Sequence, residues 1–96
     1  MDEKSETSAA IVTGGTRGIG RAISIELALS GYHVVANYHS DDTAADEAIK
    51  MIKNAGGREE KLKFDVTDGA ASEKAIHTVI QSHGAVDVLV NNAGVI

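Results

Sequence analysis

One stretch limits what this chain can become: Thr13-Gly14-Gly15-Thr16-Arg17-Gly18-Ile19-Gly20. It follows a short apolar run, Ala9-Ala10-Ile11-Val12, and it leads into a segment with helical character from Gly18 onward. Glycines stand at Gly14, Gly18 and Gly20, a G-x-x-x-G-x-G spacing. A buried strand, a glycine turn and a helix start together make a cradle for a pyrophosphate. Glycine lets the backbone turn tightly and come close to a ligand, and the N–H groups and positive dipole end of the helix favour an anion. The same spacing also serves as a plain strand-to-helix connector, so the rest of the chain has to decide.

The pattern after the glycines alternates helix and strand. The first strand is expected over 9–13 and the first helix over 18–29. That helix carries Ile19, Ala22, Ile23, Ile25, Leu27, Ala28 and Leu29 around more than one face, which predicts a well-buried element, ended by Ser30-Gly31. His33-Val34-Val35-Ala36-Asn37-Tyr38 lacks polar alternation, as a strand covered on both faces does. Asp41-Asp42-Thr43 offers caps for a second helix, with Thr43 and Asp46 resembling a capping box. Its stripe is Ala45, Ala48, Ile49 and Ile52, and residues 54–57 stop it. Lys61-Leu62-Lys63-Phe64-Asp65-Val66 alternates, which places a third strand at a sheet edge. Thr67 or Asp68 caps a third helix with Ser72, Ala75, Ile76 and Val79 on its buried side and Gly84 at its end. Residues 86–90 form the last strand, followed by Asn91-Asn92-Ala93-Gly94. The order β-α-β-α-β-α-β predicts an α/β fold: a partial, doubly wound, Rossmann-type parallel sheet of four strands in the order 3-2-1-4 with three helices. Residues 1–8 are polar and read as a disordered tail, and 9–96 as the dinucleotide-binding half of such a domain.

Composition narrows the partners. A net charge of −5 argues against non-specific nucleic-acid binding. No apolar run approaches the roughly 20 residues that span a bilayer, and residues 1–8 lack a signal-peptide core. A cytoplasmic location is the expectation. There is no cysteine, and the four histidines show no ligand spacing, so no metal is expected.

In such sheets a ligand sits beyond the carboxyl ends of the strands, at the switch point between strands one and four. Gly14 through Gly20, Asn37-Tyr38, Asp65-Val66 and residues 91–94 all converge there. The competing reading is that Asp65 and the asparagines only close local turns. A fold preferring NAD carries Asp or Glu about 20 residues after the glycines, on the ribose 2′-OH. Tyr38 occupies that window, and the next acids are Asp41 and Asp42. Arg17 with no opposing carboxylate suits a 2′-phosphate, which favours NADP over NAD.

Thr13-Gly14 through Gly20, Asp65-Val66 and Asn91-Asn92-Ala93-Gly94, in this order and spacing, resemble the short-chain dehydrogenase/reductase family over almost all of 9–96. Gly15 through Ile23 and Asn37-Tyr38 look most like its 3-oxoacyl-[acyl-carrier-protein] reductases. The resemblance implies an oxidoreductase moving hydride between NADPH and a carbonyl or alcohol. It implies that Gly14, Thr16, Arg17, Gly18, Ile19 and Gly20 line the cofactor phosphates and that Asn37 and Tyr38 border the adenosine ribose. Asp65 and Val66 would hold the adenine, and Asn91, Ala93 and Gly94 would complete the cofactor wall. Family members run to roughly 250 residues, with catalytic Ser and Tyr-x-x-x-Lys beyond the Asn-Asn-Ala-Gly segment. Here Tyr32 is followed four residues later by Ala36, and Tyr38 by Asp42, so no catalytic residue is assigned within the chain. The expectation is therefore the cofactor half of a reductase truncated after strand four, whose full-length parent is a homo-oligomer (dimer or tetramer). The alternatives are a stand-alone nucleotide-binding module and a sheet-completing interaction protein.

Overall fold

The computed structural model describes residues 8–92. The expected tail, residues 1–7, and the predicted site residues Ala93 and Gly94 lie outside that range. The elements are β1 (Ala9–Val12), α1 (Gly18–Leu29), β2 (His33–Tyr38), α2 (Asp42–Asn54), β3 (Arg58–Lys63), α3 (Gly69–His83) and β4 (Val88–Val90). The four strands make one sheet in the order β3-β2-β1-β4, and all three pairings are parallel.

Successive strand residues point to opposite faces, so β1 and β2 feed two cores. Ala9, Ile11 and Val35 pack with Val79 of α3 on one face. Val12 and Val34 pack with Ala28 of α1 and Ile52 of α2 on the other. This sandwiching explains why the two central strands carry no polar alternation.

The elements depart from the sequence reading in four places. The third strand starts and ends three residues earlier than its alternation suggests. Its full length is set by β2, which it pairs from His33↔Arg58 to Tyr38↔Lys63. Arg58-Glu59-Glu60-Lys61 has no apolar signature because it lies at an edge, and the chain turns away at Asp65, where the side chain takes the Thr67 N–H. Second, β4 is shorter than expected, although the Asp87 N–H still donates to Ala9 O at 2.9 Å. Third, α2 is capped by Asp41, which accepts from the Ala44 N–H, and Thr43 lies inside the helix rather than capping it. Fourth, α1 is less buried than its apolar count implies. Only Gly20, Ser24 and Ala28 are buried, while Ile19 and Leu29 are exposed. Small residues take the fully buried positions, while Ile23, Ile25 and Leu27 pack partly buried against the core.

Candidate functional site

The carboxyl ends of the strands gather around the loop between β1 and α1. Two glycines there are required by backbone conformation: Gly14 has φ 63° and Gly18 φ 55°, the left-handed region that side chains disfavour. Gly20 is required for a different reason. A Cβ on it would lie 2.0 Å from Gly14 O and 2.6 Å from Asn92 Nδ2, so the first turn of α1 rests directly on the loop backbone.

Two asparagines hold that loop in place. The Gly14 N–H donates to Asn37 Oδ1 at 2.9 Å, and the Gly15 N–H donates to Asn37 O at 2.9 Å. Asn37 Nδ2 donates in turn to Phe64 O at 3.0 Å, so one buried side chain ties the loop to the ends of β2 and β3. From the opposite side, Asn92 Nδ2 donates to Gly14 O at 3.2 Å. Beneath the loop, the fully buried Ser24 hydroxyl lies 3.0 Å from Gly15 O and 2.9 Å from Gly20 O, and its proton serves one of them at a time. Thr13 Oγ1 sits 3.3 Å from Val90 O and 3.4 Å from Asn91 Oδ1, which joins β1 to the end of β4.

The start of α1 is distinct among the three helices. Arg17 occupies its N-cap position with extended backbone, and no side chain caps it. In α2 and α3 the carboxylates of Asp41 and Asp68 accept from Ala44 and Ala71 N–H. The first-turn N–H groups of a helix need partners from outside its own ladder. At α1, no side chain supplies one.

Arg17 corrects one premise of the sequence reading. Its guanidinium does have an opposing carboxylate: Arg17 Nη1 donates to Asp41 Oδ2 at 3.2 Å, with both side chains largely exposed. Asp41 caps α2 with one oxygen and meets Arg17 with the other. Tyr38 is buried, and its hydroxyl donates to Asp42 Oδ1 at 2.8 Å. That hydrogen bond to the carboxylate, with burial, raises the phenol pKa above its ordinary value.

Beside the loop lies an open groove of about 430 Å³ lined by Gly14, Asn37, His39, Phe64, Asp65, Val66 and Thr67. Asp65 closes a local turn and also lines the groove. Its Oδ1 accepts from the Thr67 hydroxyl at 2.7 Å and the Thr67 N–H at 2.9 Å, a local turn. Its Oδ2 stands 3.5 Å from His39 Nε2 at the groove. The Thr67 hydrogen bonds hold the Asp65 carboxyl below the usual carboxylate range.

Gly14, Asn37, Asp65 and Val66 therefore share one groove. Arg17 pairs with Asp41, and Tyr38 is spent on Asp42. Thr16 is buried beside the loop, Ile19 is exposed on the first turn of α1, and Asn91 is exposed after β4. Sequence reasoning missed Ser24 and His39, took Asp41 only as a helix cap and a neighbouring acid rather than as the partner of Arg17, and included Asn92 in the 91–94 segment without a role of its own. A serine at a buried position of an otherwise apolar helix was the one available signal, for Ser24.

A doubly wound parallel sheet, with a glycine loop and an uncapped helix at its switch point, defines a Rossmann-type nucleotide-binding fold. The chain belongs to the short chain dehydrogenase family, whose profile matches residues 8–96. It is 42% identical over 86 residues to the short-chain dehydrogenase/reductase homolog YusS of Bacillus subtilis, covering 90% of this chain and 79% of that protein. It is 41% identical over 86 residues to the 3-oxoacyl-[acyl-carrier-protein] reductase FabG of Staphylococcus epidermidis, covering 90% of this chain and 35% of the reductase. The chain spans about a third of other relatives it matches, glucose 1-dehydrogenase 2 of Bacillus subtilis among them. Among solved structures, a metagenomic short-chain oxidoreductase in complex with NADP superposes with a TM-score of 0.87 at 38% identity, over 93% of this chain and 40% of that one.

Proposed function

We propose that this chain forms the cofactor-holding half of an NADP-dependent oxidoreductase that moves hydride between NADPH and a carbonyl or alcohol, with 3-oxoacyl thioesters as the substrate class. The carrying observation is the helix start at Arg17: aspartates cap the first turns of α2 and α3, whereas no side chain caps the first turn of α1, which leaves it suited to an anion. The residues present fit a dinucleotide. The loop has no room for a Cβ at Gly20, the helix N-terminus suits a pyrophosphate, and the adjoining groove carries an ionised carboxylate to accept from an adenine amine. When bound, the nicotinamide supplies or takes the hydride.

This chain's residues bind and orient. Thr16, Gly18, Ile19 and Gly20 hold the phosphates through backbone N–H groups, and Gly14, whose own N–H goes to Asn37 Oδ1, shapes the turn that lets them approach. Asn37 fixes the height of the loop. Asp65 and Val66 flank the adenine, Tyr38 borders the ribose pocket, and Asn91 stands at the far wall. Arg17 takes the 2′-phosphate by exchanging Asp41 for it, since a dianionic phosphate holds a guanidinium more strongly than an exposed carboxylate does. The full protein is a cytoplasmic homo-oligomer.

One observation favours a second reading, a stand-alone nucleotide-binding module: the 86 aligned residues already make up 79% of YusS. Titration of the chain with NADPH and NADH, followed by nicotinamide fluorescence, tests what both readings share. Saturable binding with NADPH tighter than NADH is expected. The absence of any saturable change at millimolar cofactor sinks the stand-alone reading, and NADH bound as tightly as NADPH sinks the NADP reading.

A further inference from the structure

A second cluster lies on the α3 face of the sheet, near the amino ends of the strands. His33 opens β2, Glu60 sits in β3, and His83 ends α3. His33 Nε2 is 2.9 Å from Glu60 Oε1, and His83 Nε2 is 3.2 Å from the same oxygen. The two imidazoles stack with centroids 4.3 Å apart, and one donor atom from each of the three residues falls within 4.8 Å of the others. From these distances we propose that His33, Glu60 and His83 form a binding site for a divalent transition-metal ion of the zinc type.

The donor set is two imidazole nitrogens and one carboxylate oxygen, the chemistry that zinc takes in three-ligand sites with a water in the fourth position. With metal–ligand bonds of about 2.0–2.1 Å, donor atoms of a tetrahedral site stand about 3.3–3.4 Å apart. The two nitrogen–oxygen separations are already near that edge length, so an ion enters with small side-chain movement. The imidazoles are held in place, with side chains only 18% and 15% exposed, while Glu60 at 44% leaves the site open to an ion and its water. Each ligand comes from a different element. Two sit on paired strands, β2 and β3, whose register places Val35 opposite Glu60. The positions 33, 60 and 83 share no short spacing, which is why no sequence motif announces them.

The site is separate from the nucleotide groove. His33 and Asn37 are four residues apart on one strand, about 13 Å at the usual rise. An ion there pins the last turn of α3 to β2 and β3, so it stabilises the fold by binding the native state alone.

The experiment is a titration of the 96-residue chain with Co²⁺, read by visible absorbance, and with Zn²⁺, read by calorimetry and thermal melting. The expected result is one equivalent bound, intense tetrahedral Co²⁺ bands and a higher Tm with Zn²⁺. His33→Gln, His83→Gln and Glu60→Gln should each weaken Zn²⁺ by at least about tenfold. His77→Gln, on the exposed side of α3, should leave the affinity unchanged. The wild-type Co²⁺ spectrum decides even if a variant fails to fold. Weak octahedral bands, no saturation at millimolar metal, or undiminished affinity in a folded H33Q/H83Q variant would each overturn the proposal and leave a hydrogen-bonded trio.

Discussion

Among the described residues three helices begin after a strand, and they begin in two ways. α2 and α3 start at Asp41 and Asp68, whose carboxylates take the Ala44 and Ala71 N–H groups. α1 starts at Arg17, with no side-chain cap and a glycine loop in front of it. The glycines differ too. Gly69 opens α3 with open space around it, whereas Gly20 in the first turn of α1 is pressed against Gly14 O. A helix start shaped only for stability closes on itself. The start of α1 forgoes a cap worth about 1 kcal/mol and leaves its first turn without a side-chain partner.

The sharpest way to break this comparison is to put the same methyl group at both glycines. Gly20→Ala forces α1 off the loop and should cost about 3 kcal/mol in urea melts, with NADPH affinity falling about a hundredfold from misplaced phosphate donors. Gly69→Ala should instead stabilise by about 0.5–1 kcal/mol and leave the affinity alone. Next in size is the clamp. Asn37→Leu strands the Gly14 N–H and Phe64 O and should cost about 2–3 kcal/mol, with weaker NADPH binding in the same titration. The caps come third. Asp68→Ala should lose about 1 kcal/mol without touching affinity. Arg17→Asp should bring α1 the cap it lacks, raising Tm while weakening NADPH, and a variant that binds NADPH unchanged would erase the distinction drawn between the helices.

The smallest effect concerns pH. The Asp65 carboxyl is held low by Thr67, so its contribution is complete above the ordinary carboxyl pKa of about 3.9 and fades as pH falls through the lower folded value. Acid melts of wild type and Asp65→Asn should therefore diverge above pH 4 and converge below it. Parallel curves would show that the turn at Asp65 carries no charge-dependent share.

The sheet was legible from sequence because its signals are local and periodic. Apolar β1 and β2, the Ala45-Ala48-Ile52 stripe and the alternation of helix and strand suffice for the order β3-β2-β1-β4. The bounds of β3 were not legible, since an edge strand of Arg, Glu and Lys has no apolar pattern and takes its length from its partner. The glycine loop and the strand ends could be placed, but their internal wiring could not. Arg17 meets Asp41 across 24 residues and Asn92 reaches Gly14 across 78, and no spacing rule encodes such pairs. The trio of His33, Glu60 and His83 was hidden in the same way.

The place of β1 in the middle of the sheet has a consequence for how the chain is made. Its partner β4 arrives with Ile11 paired to Leu89 and Thr13 beside Asn91, a separation of 78 residues. At a synthesis rate of about 5–20 residues per second, β1 leaves the ribosome roughly 4–16 s before its second neighbour exists. During that interval a strand buried along its whole length in the finished fold has a bare ladder on one side. A holding chaperone, or slow emergence past β1, would matter more to the yield of this chain than any single contact in its finished core.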